Sequence, residues 1–462
     1  MDGLLAEFAG PLLADAPVAA DGVGVSLLHG WFPAVVQGVT GVALLAGIGW
    51  RSRRWRTVWL PLAVCVGVAA VAVTHWYVGF AGIADNPPLP VFWVWVGLTG
   101  LAVGVAALGW NAARWWRRGV SVLAVVLALL SCGIALNQSV VYFPTVQMAW
   151  DQLTAHPLPD QVEQDTVIAL RRNGIVPAHG TVVAVKIPGD ASHLRHRTEF
   201  VYLPPEWYAP DPSPRLPAVM MIGGQFNTPA DWIRQGRAVT TIDRFAAAHG
   251  GNAPVFVFVD TGGSFNNDTE CVNGPRGNAA DHLTRDVVPF VQNRFGVRQD
   301  SAGWGVVGFS MGGTCAVDLT VMHPELFTAF VDIAGDIGPA AGTKEQTITR
   351  LFGGDAAAWA AFDPATVITR HGVYRGVSGW FAVSKETDTQ QNKSRTRGGR
   401  GGRPGETEAA NSLCALGRAN GIACTVTVST GKHNWPFAAD VFASALPWLA
   451  GQLGTPAVPH IQ

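Results

Sequence analysis

The first 143 residues contain no lysine and only seven arginines, and four stretches within them, 31–50, 57–80, 91–110 and 120–136, carry no Asp, Glu, Lys or Arg. Helices buried in soluble proteins rarely keep runs of this length free of charge. A helix that crosses the hydrocarbon of a bilayer needs about 20 consecutive apolar residues. The pattern predicts an all-α four-helix transmembrane anchor over 1–143, with helices near 31–50, 57–80, 91–110 and 120–143. Trp31, Trp50, Trp76, Trp110 and Tyr142 lie near the ends of these runs, where interfacial aromatics are found. Gly100 and Gly104 form a G-x-x-x-G pair of the kind that lets two helices approach closely. Cys65 and Cys132 fall inside the spans and read as small apolar residues.

Arginine placement sets an expected orientation. Arg51, Arg53, Arg54 and Arg56 lie between the first and second spans, and Arg114, Arg117 and Arg118 between the third and fourth. The other side carries Asp2, Glu7, Asp15, Asp21 and Asp85 and no basic residue. By the positive-inside rule both arginine connections are cytoplasmic. Both termini, and everything after the fourth span, are then expected outside the cytoplasmic membrane of the cell. The chain starts without the basic segment of a cleaved leader, so no cleavage is expected.

After a linker over 144–178 with one amphipathic helix near 161–173, the composition becomes that of a globular domain, 179–462. Strands are expected at 181–187, 198–203, 218–222, 254–260, 304–309, 327–334, 379–384 and 423–429. Helices are expected at 279–295, 312–322 and 407–419. About eight strands, the later ones alternating with helices, describe an α/β fold with a mostly parallel sheet covered on both faces. The formal net charge of −1 argues against nucleic acid as a partner. Metal and cofactor chemistry is not expected, because no Cys/His/Asp group has ligand spacing along the chain. In an extracytoplasmic domain disulfides persist. Of the pairings open to Cys271, Cys315, Cys414 and Cys424 we expect 271–315 and 414–424, the second stapling a helix to the strand after it.

Chemistry concentrates at Gly308-Phe309-Ser310-Met311-Gly312. The pentapeptide sits between an expected strand and an expected helix, the context of a nucleophile elbow in the α/β-hydrolase fold. A serine hydroxyl needs a neighbouring base, and in this fold the partners follow in the order serine, acid, histidine. His433, in the loop after strand 423–429, is the expected base. His323 ends a helix, His371 precedes a strand and His460 is near the terminus. The acid is expected in the loop after strand 379–384: Asp388, with Glu386 as the alternative and Asp336 and Glu406 further off. Two preorganised N–H donors for an oxyanion are expected at Met311 and, after strand 218–222, at Gln225. Segment 389–405 (TQQNKSRTRGGRGGRPG) is basic and glycine-rich; a solvated loop is expected, beside the catalytic edge.

These residues make the outer domain resemble the putative-esterase (esterase D-like) family, which includes secreted mycolyltransferases and feruloyl esterases. The resemblance spans about 180–451. It rests on VVGFSMGGTCAVDLTVMHPELF around Ser310, GKHNWP around His433, and VYLPPEW. It implies acyl transfer through the serine to water or to another hydroxyl, in a membrane-anchored bacterial subgroup of the cell envelope. Ester or acyl-glycolipid substrates and contact with membrane lipids are then expected. Mycolyltransferases carry Asp-Gly-Leu-Arg where this chain has Gly223, Gly224, Gln225 and Phe226, which argues against their sugar acceptor. Their acid lies further beyond the strand, nearer Glu406 here. The expected function is a membrane-anchored serine esterase; the alternatives are an envelope acyltransferase and a catalytically silent membrane scaffold.

Overall fold

The computed structural model describes residues 24–49, 52–81, 89–111, 113–210, 215–387 and 405–461. Asp2, Glu7, Asp15, Asp21, Trp50, Arg51, Asp85, Asp388 and segment 389–404 lie outside them.

Among the described residues, four helices are long and apolar enough to cross a membrane. They are α1 (Trp31–Ile48), α2 (a π-helical turn Trp55–Trp59 running into Leu60–Ala81), α3 (Pro90–Gly109) and α4 (Trp115–Val140). Helix α3 opens on Pro90, whose missing N–H costs nothing at a first helical position. The glycine pair works at the α2–α3 seam: a Cβ on Gly100 would stand 2.8 Å from Gly67 Cα, and one on Gly104 2.9 Å from Ala63 Cα. Small residues on both helices thus bring the backbones together, as packing without a hydrophobic driving force requires. Between α1 and α4 the buried hydroxyls of Thr40 and Ser131 pair at 2.9 Å. Gly49, after α1, packs against the Arg117 guanidinium, so the two arginine-bearing connections share one end of the bundle.

Among the described residues the C-terminal half is built on a nine-stranded sheet: β1 (Gln161–Val162), β2 (Thr181–Val185), β3 (Glu199–Leu203), β4 (Ala218–Ile222), β5 (Val255–Phe258), β6 (Trp304–Phe309), β7 (Ala329–Ile333), β8 (Ser378–Ser384) and β9 (Ala423–Ser429). Their spatial order is β1-β2-β3-β5-β4-β6-β7-β8-β9. Strand β3 is antiparallel to β2 and β5, and every pairing from β5 through β9 is parallel. Parallel strands buried on both faces read as unbroken apolar runs, and AVMMI in β4 and WGVVGF in β6 are such runs. The period-2 pleat sends Val183, Val201, Met220, Val257 and Val306 to one core, and Val182, Tyr202, Val219, Phe256 and Val307 to the other. The first core is closed by α8 (Met311–Met322) and α10 (Glu406–Ala419), the second by α7 (Ala238–Ala248) and α11 (Trp435–Gln452). This is an α/β-hydrolase fold behind four helices long and apolar enough to cross a membrane.

Two departures from the sequence reading concern the edge and the insertions. Residues 161–162 are an added edge strand on β2 rather than helix, and the helix that follows is α6 (Gln164–Arg172). A two-residue strand is too short to leave a period. Between β7 and β8 stand three further helices, including α9 (Lys344–Phe352), which opens on a capping box of Thr343 and Gln346. Both expected disulfides, Cys271–Cys315 and Cys414–Cys424, are formed.

The two halves meet at the bundle end away from the arginines. Tyr142, just past α4, donates its hydroxyl to Asp231 at 2.5 Å, and Gln152 on α5 (Val146–Leu153) donates to Asp231 and to Thr228, both at 3.3 Å. Arg350 on α9 donates to the carbonyl of Phe80 at 2.6 Å. Thr228 and Asp231 follow β4 and Arg350 follows β7, so both contacts are made from the C-terminal edge of the sheet, the edge that carries Ser310.

Candidate active site

Strand β6 ends at Phe309 and α8 begins at Met311, leaving Ser310 alone to make the turn. It does so at φ 59°, ψ −123°, in the region L-residues avoid, and its N–H is held by the carbonyl of Ile333 at 2.8 Å. Such strain persists only when neighbours over-determine it. Here they are glycines. A Cβ on Gly308 would fall 1.7 Å from the carbonyl oxygen of Gly312, and one on Gly312 would fall 2.3 Å from that of Ile222. No other residue fits either position, and the close approach thrusts the Ser310 side chain out at the helix N-terminus.

Strand β9 delivers His433 through a loop that turns at Gly431. Its Nε2 lies 2.8 Å from Ser310 Oγ, and its Nδ1 lies 2.9 Å from Glu406 Oε1. The other Glu406 oxygen accepts from the Ser384 N–H at 3.3 Å. Phe309 packs on the imidazole with ring centroids 5.0 Å apart, and Trp435 packs on Phe309. Thr387 fixes the loop backbone, taking the His433 N–H on its hydroxyl at 3.2 Å, and Ser384 donates to the Gly431 carbonyl at 2.6 Å.

The carboxylate against His433 is therefore Glu406 rather than either residue expected in the loop after β8. Glu386 is exposed on a short helical turn, and Asp388 is outside the described residues. Glu406 opens α10 and is only 5 % exposed, so a helix start after the basic segment aims the acid inward. Asp336 stays close enough for its charge to act on His433. Burial of His433 disfavours the imidazolium, but the Glu406 hydrogen bond and the charges of Glu406 and Asp336 outweigh it and raise the pKa above the ordinary histidine value. Behind them, burial pushes the Asp332 carboxyl up to about 8, partly offset by the Gly335 N–H.

On the other side of Ser310 runs the turn after β4. A Cβ on Gly224 would lie 3.0 Å from Ser310 Cβ, so a side chain here would push this backbone away from the hydroxyl. Asn227 braces the turn: its Oδ1 accepts from the Gly224 N–H at 2.8 Å. Phe226 sits at φ 69°, a strained value for an aromatic residue. Gln225 is half-buried in this turn, and Met311 begins α8 beside the serine. Arg197 supports the turn from below, donating to the Asn227 carbonyl at 2.8 Å while its guanidinium pairs with Asp260 at 2.6 Å. Neither Arg197 nor Ser384 nor Thr387 stood out in the sequence; each acts through backbone groups far away along the chain.

The profile of the family described as "Putative esterase" matches residues 192–443, more than half of the chain. An uncharacterised protein of Corynebacterium glutamicum is 27 % identical over 430 residues, covering 89 % of this chain and 93 % of that one. Among solved structures, an S-formylglutathione hydrolase from Agrobacterium tumefaciens is similar at 18 % identity and TM-score 0.46, over 60 % of this chain and 97 % of its own. A ferulic acid esterase is similar at 16 % identity and TM-score 0.45, over 59 % and 99 %. Mycobacterium tuberculosis MPT51 is similar at 15 % identity and TM-score 0.38, over 58 % and 100 %. On the match across its C-terminal half, the chain belongs to the putative esterase family.

Proposed function

We propose that the chain is a membrane-anchored serine esterase that acts outside the cytoplasmic membrane on a carboxylic ester through an acyl-serine intermediate. The observation that carries this reading is the continuous line Ser310 Oγ, His433 Nε2, His433 Nδ1, Glu406 Oε1, with both contacts within 2.9 Å. As Ser310 Oγ bonds to the ester carbonyl carbon, its proton passes to His433 Nε2. The carbonyl oxygen takes the negative charge and is met by the N–H groups of Met311 and Gln225. The C–O bond to the alcohol then breaks, and the alcohol leaves with the proton from Nε2. Water, or another hydroxyl, enters along the same path, gives its proton to Nε2 and releases Ser310. Glu406 keeps the proton of the imidazole on Nδ1 and stabilises the imidazolium formed at each step.

The exterior placement is supported by the arginines, which share the bundle end opposite the catalytic half. The full chain, purified in detergent, is to be given short-chain nitrophenyl esters and a fluorophosphonate probe. Hydrolysis and labelling are expected, with both lost in Ser310→Ala; equal activity in that variant sinks the reading. A membrane-impermeant probe on intact cells reads the orientation, and a labelled acyl donor with added sugars reads whether water or a hydroxyl takes the acyl group.

A further inference from the structure

A second cluster lies apart from Ser310. His196 precedes β3, Glu199 is the first residue of β3, and His282 starts the turn His282–Val287 that leads into helix Val288–Phe295. The side chains of Glu199 and His282 are fully buried and that of His196 is 9 % exposed. The two imidazoles stack with centroids 4.4 Å apart, and Glu199 offers one oxygen to each. Oε1 lies 3.1 Å from His282 Nε2, and Oε2 lies 3.5 Å from His196 Nδ1. The far nitrogen of each ring is already held: His196 Nε2 by the Ile187 carbonyl at 2.8 Å, His282 Nδ1 by Asp286 at 3.4 Å. Asp286 is itself fixed by the N–H groups of Ala191 and Ser192. Glu199 Oε2, although buried, has no hydrogen-bond donor among the described residues.

A buried carboxylate oxygen without a donor is costly, and three features say what it awaits. First, zinc binds nitrogen and carboxylate oxygen at about 2.0–2.1 Å, which sets the edges of a tetrahedron at roughly 3.3 Å. The 3.1 and 3.5 Å separations straddle that edge. Second, each histidine donates its remote N–H to a carbonyl or carboxylate, the outer arrangement that orients metal-ligating imidazoles. Third, the ligand atoms of His196, Glu199 and His282 all lie within 4.8 Å of one another, and among the described residues His196 Nδ1 reaches no side chain but Glu199 there, its other contact being the Arg197 carbonyl at 3.0 Å. The ligand spacing is three residues and then eighty-three, which no local motif displays.

We propose that His196 Nδ1, Glu199 and His282 Nε2 bind one zinc-class divalent ion that joins the segment before β3, β3 itself and the turn at His282. The site is closed, so the ion is structural. Its hold reaches the esterase centre through Arg197, next to His196, which bonds Asp260 and the Asn227 carbonyl. Asp260 is tied to the same carboxylate, donating its N–H to Glu199 Oε1 at 3.0 Å.

The test uses the full chain, purified in detergent by a tag without histidine and without chelators. Elemental analysis is expected to give one zinc per chain, and EDTA is expected to lower Tm by several degrees, with recovery on adding zinc but not magnesium. Cobalt added to the stripped protein should give the visible ligand-field bands of a tetrahedral site. His196→Gln, at the most exposed ligand, and Glu199→Gln should each remove the bands. Folded wild-type protein with no bound zinc, no cobalt bands and a Tm indifferent to EDTA overturns the proposal. So do cobalt bands that survive in a folded His196→Gln protein.

Discussion

Glu406 meets His433 from the first turn of a helix that begins twenty-two residues past Ser384, the last residue of β8. Segment 388–404 separates strand from acid, so the acid arrives with α10 and not with the loop that leaves the strand. Glu406→Gln is expected to keep the fold and lower kcat by about 10³- to 10⁴-fold, the scale seen when a triad acid loses its charge. Glu386→Gln should stay within a few-fold of the parent. Steady-state hydrolysis of a nitrophenyl ester compares the two, and the reverse ranking would return the acid to the loop after β8.

The pH profile follows from His433. Only the neutral imidazole can accept the Ser310 proton, so activity rises as pH increases through its pKa. Glu406 and Asp336 hold that pKa above the ordinary histidine value, which places the acid limb above about pH 6.5. Removing the Glu406 charge takes away a raising influence while burial still lowers the pKa. The acid limb of Glu406→Gln should therefore move to lower pH, and kcat/KM measured between pH 5 and 9 shows it.

Gly224 and Gly312 make opposite predictions from the same geometry. At Gly224 the added methyl meets Ser310 Cβ at 3.0 Å, a contact that a small shift of the turn relieves. Gly224→Ala should fold, keep Tm within a few degrees and lose about 10²- to 10³-fold in kcat, as for a displaced oxyanion donor. At Gly312 the methyl meets the Ile222 and Gly223 carbonyls at 2.3 and 2.6 Å, neither of which can retreat. Gly312→Ala should fail to fold, measured as loss of soluble detergent-extracted protein.

Tyr142 links the end of α4 to the turn beside the nucleophile. Its hydroxyl bonds Asp231, whose carboxyl is buried and pushed up by that burial, and the same Asp231 oxygen accepts from the Thr228 N–H at 2.6 Å. Losing one donor to a buried acceptor costs about 1–3 kcal/mol. Tyr142→Phe should lower Tm and, because Thr228 follows the turn bearing Gly224, reduce kcat more than KM. Unchanged kinetics in a destabilised protein would confine the contact to holding the two halves together.

What the sequence displays depends on whether the pattern is local. The elbow is five consecutive residues with a strand before and a helix after, and the four spans are charge-free runs, so both are visible without knowing the fold. The seam of Gly100 and Gly104 was visible for the same reason, although its partners Ala63 and Gly67 were not. Glu406 was a weak candidate because nothing in residues 385–405 tells how the chain returns to the sheet. Arg197, Ser384 and Thr387 bond backbone groups of distant segments, and the His196–Glu199–His282 group is assembled only when β3 and the turn at His282 pack together. The two-residue strand β1 owes its pairing wholly to β2.

The Cys271–Cys315 bond carries a consequence in time. Cys315 sits in the second turn of the helix capped by Ser310, and its partner lies forty-four residues earlier. A loop of that size removes about 4 kcal/mol of freedom from the unfolded chain. A newly made chain has both thiols reduced, so its elbow starts without this anchor and gains it only after oxidation. Chains folded under dithiothreitol should label more slowly with a fluorophosphonate than chains folded under oxidising conditions, and equal rates would show the elbow to be complete without the bond. The hydrolase then matures in two stages, shape first and rigidity second, and the surroundings of the finished chain decide when the second stage is reached.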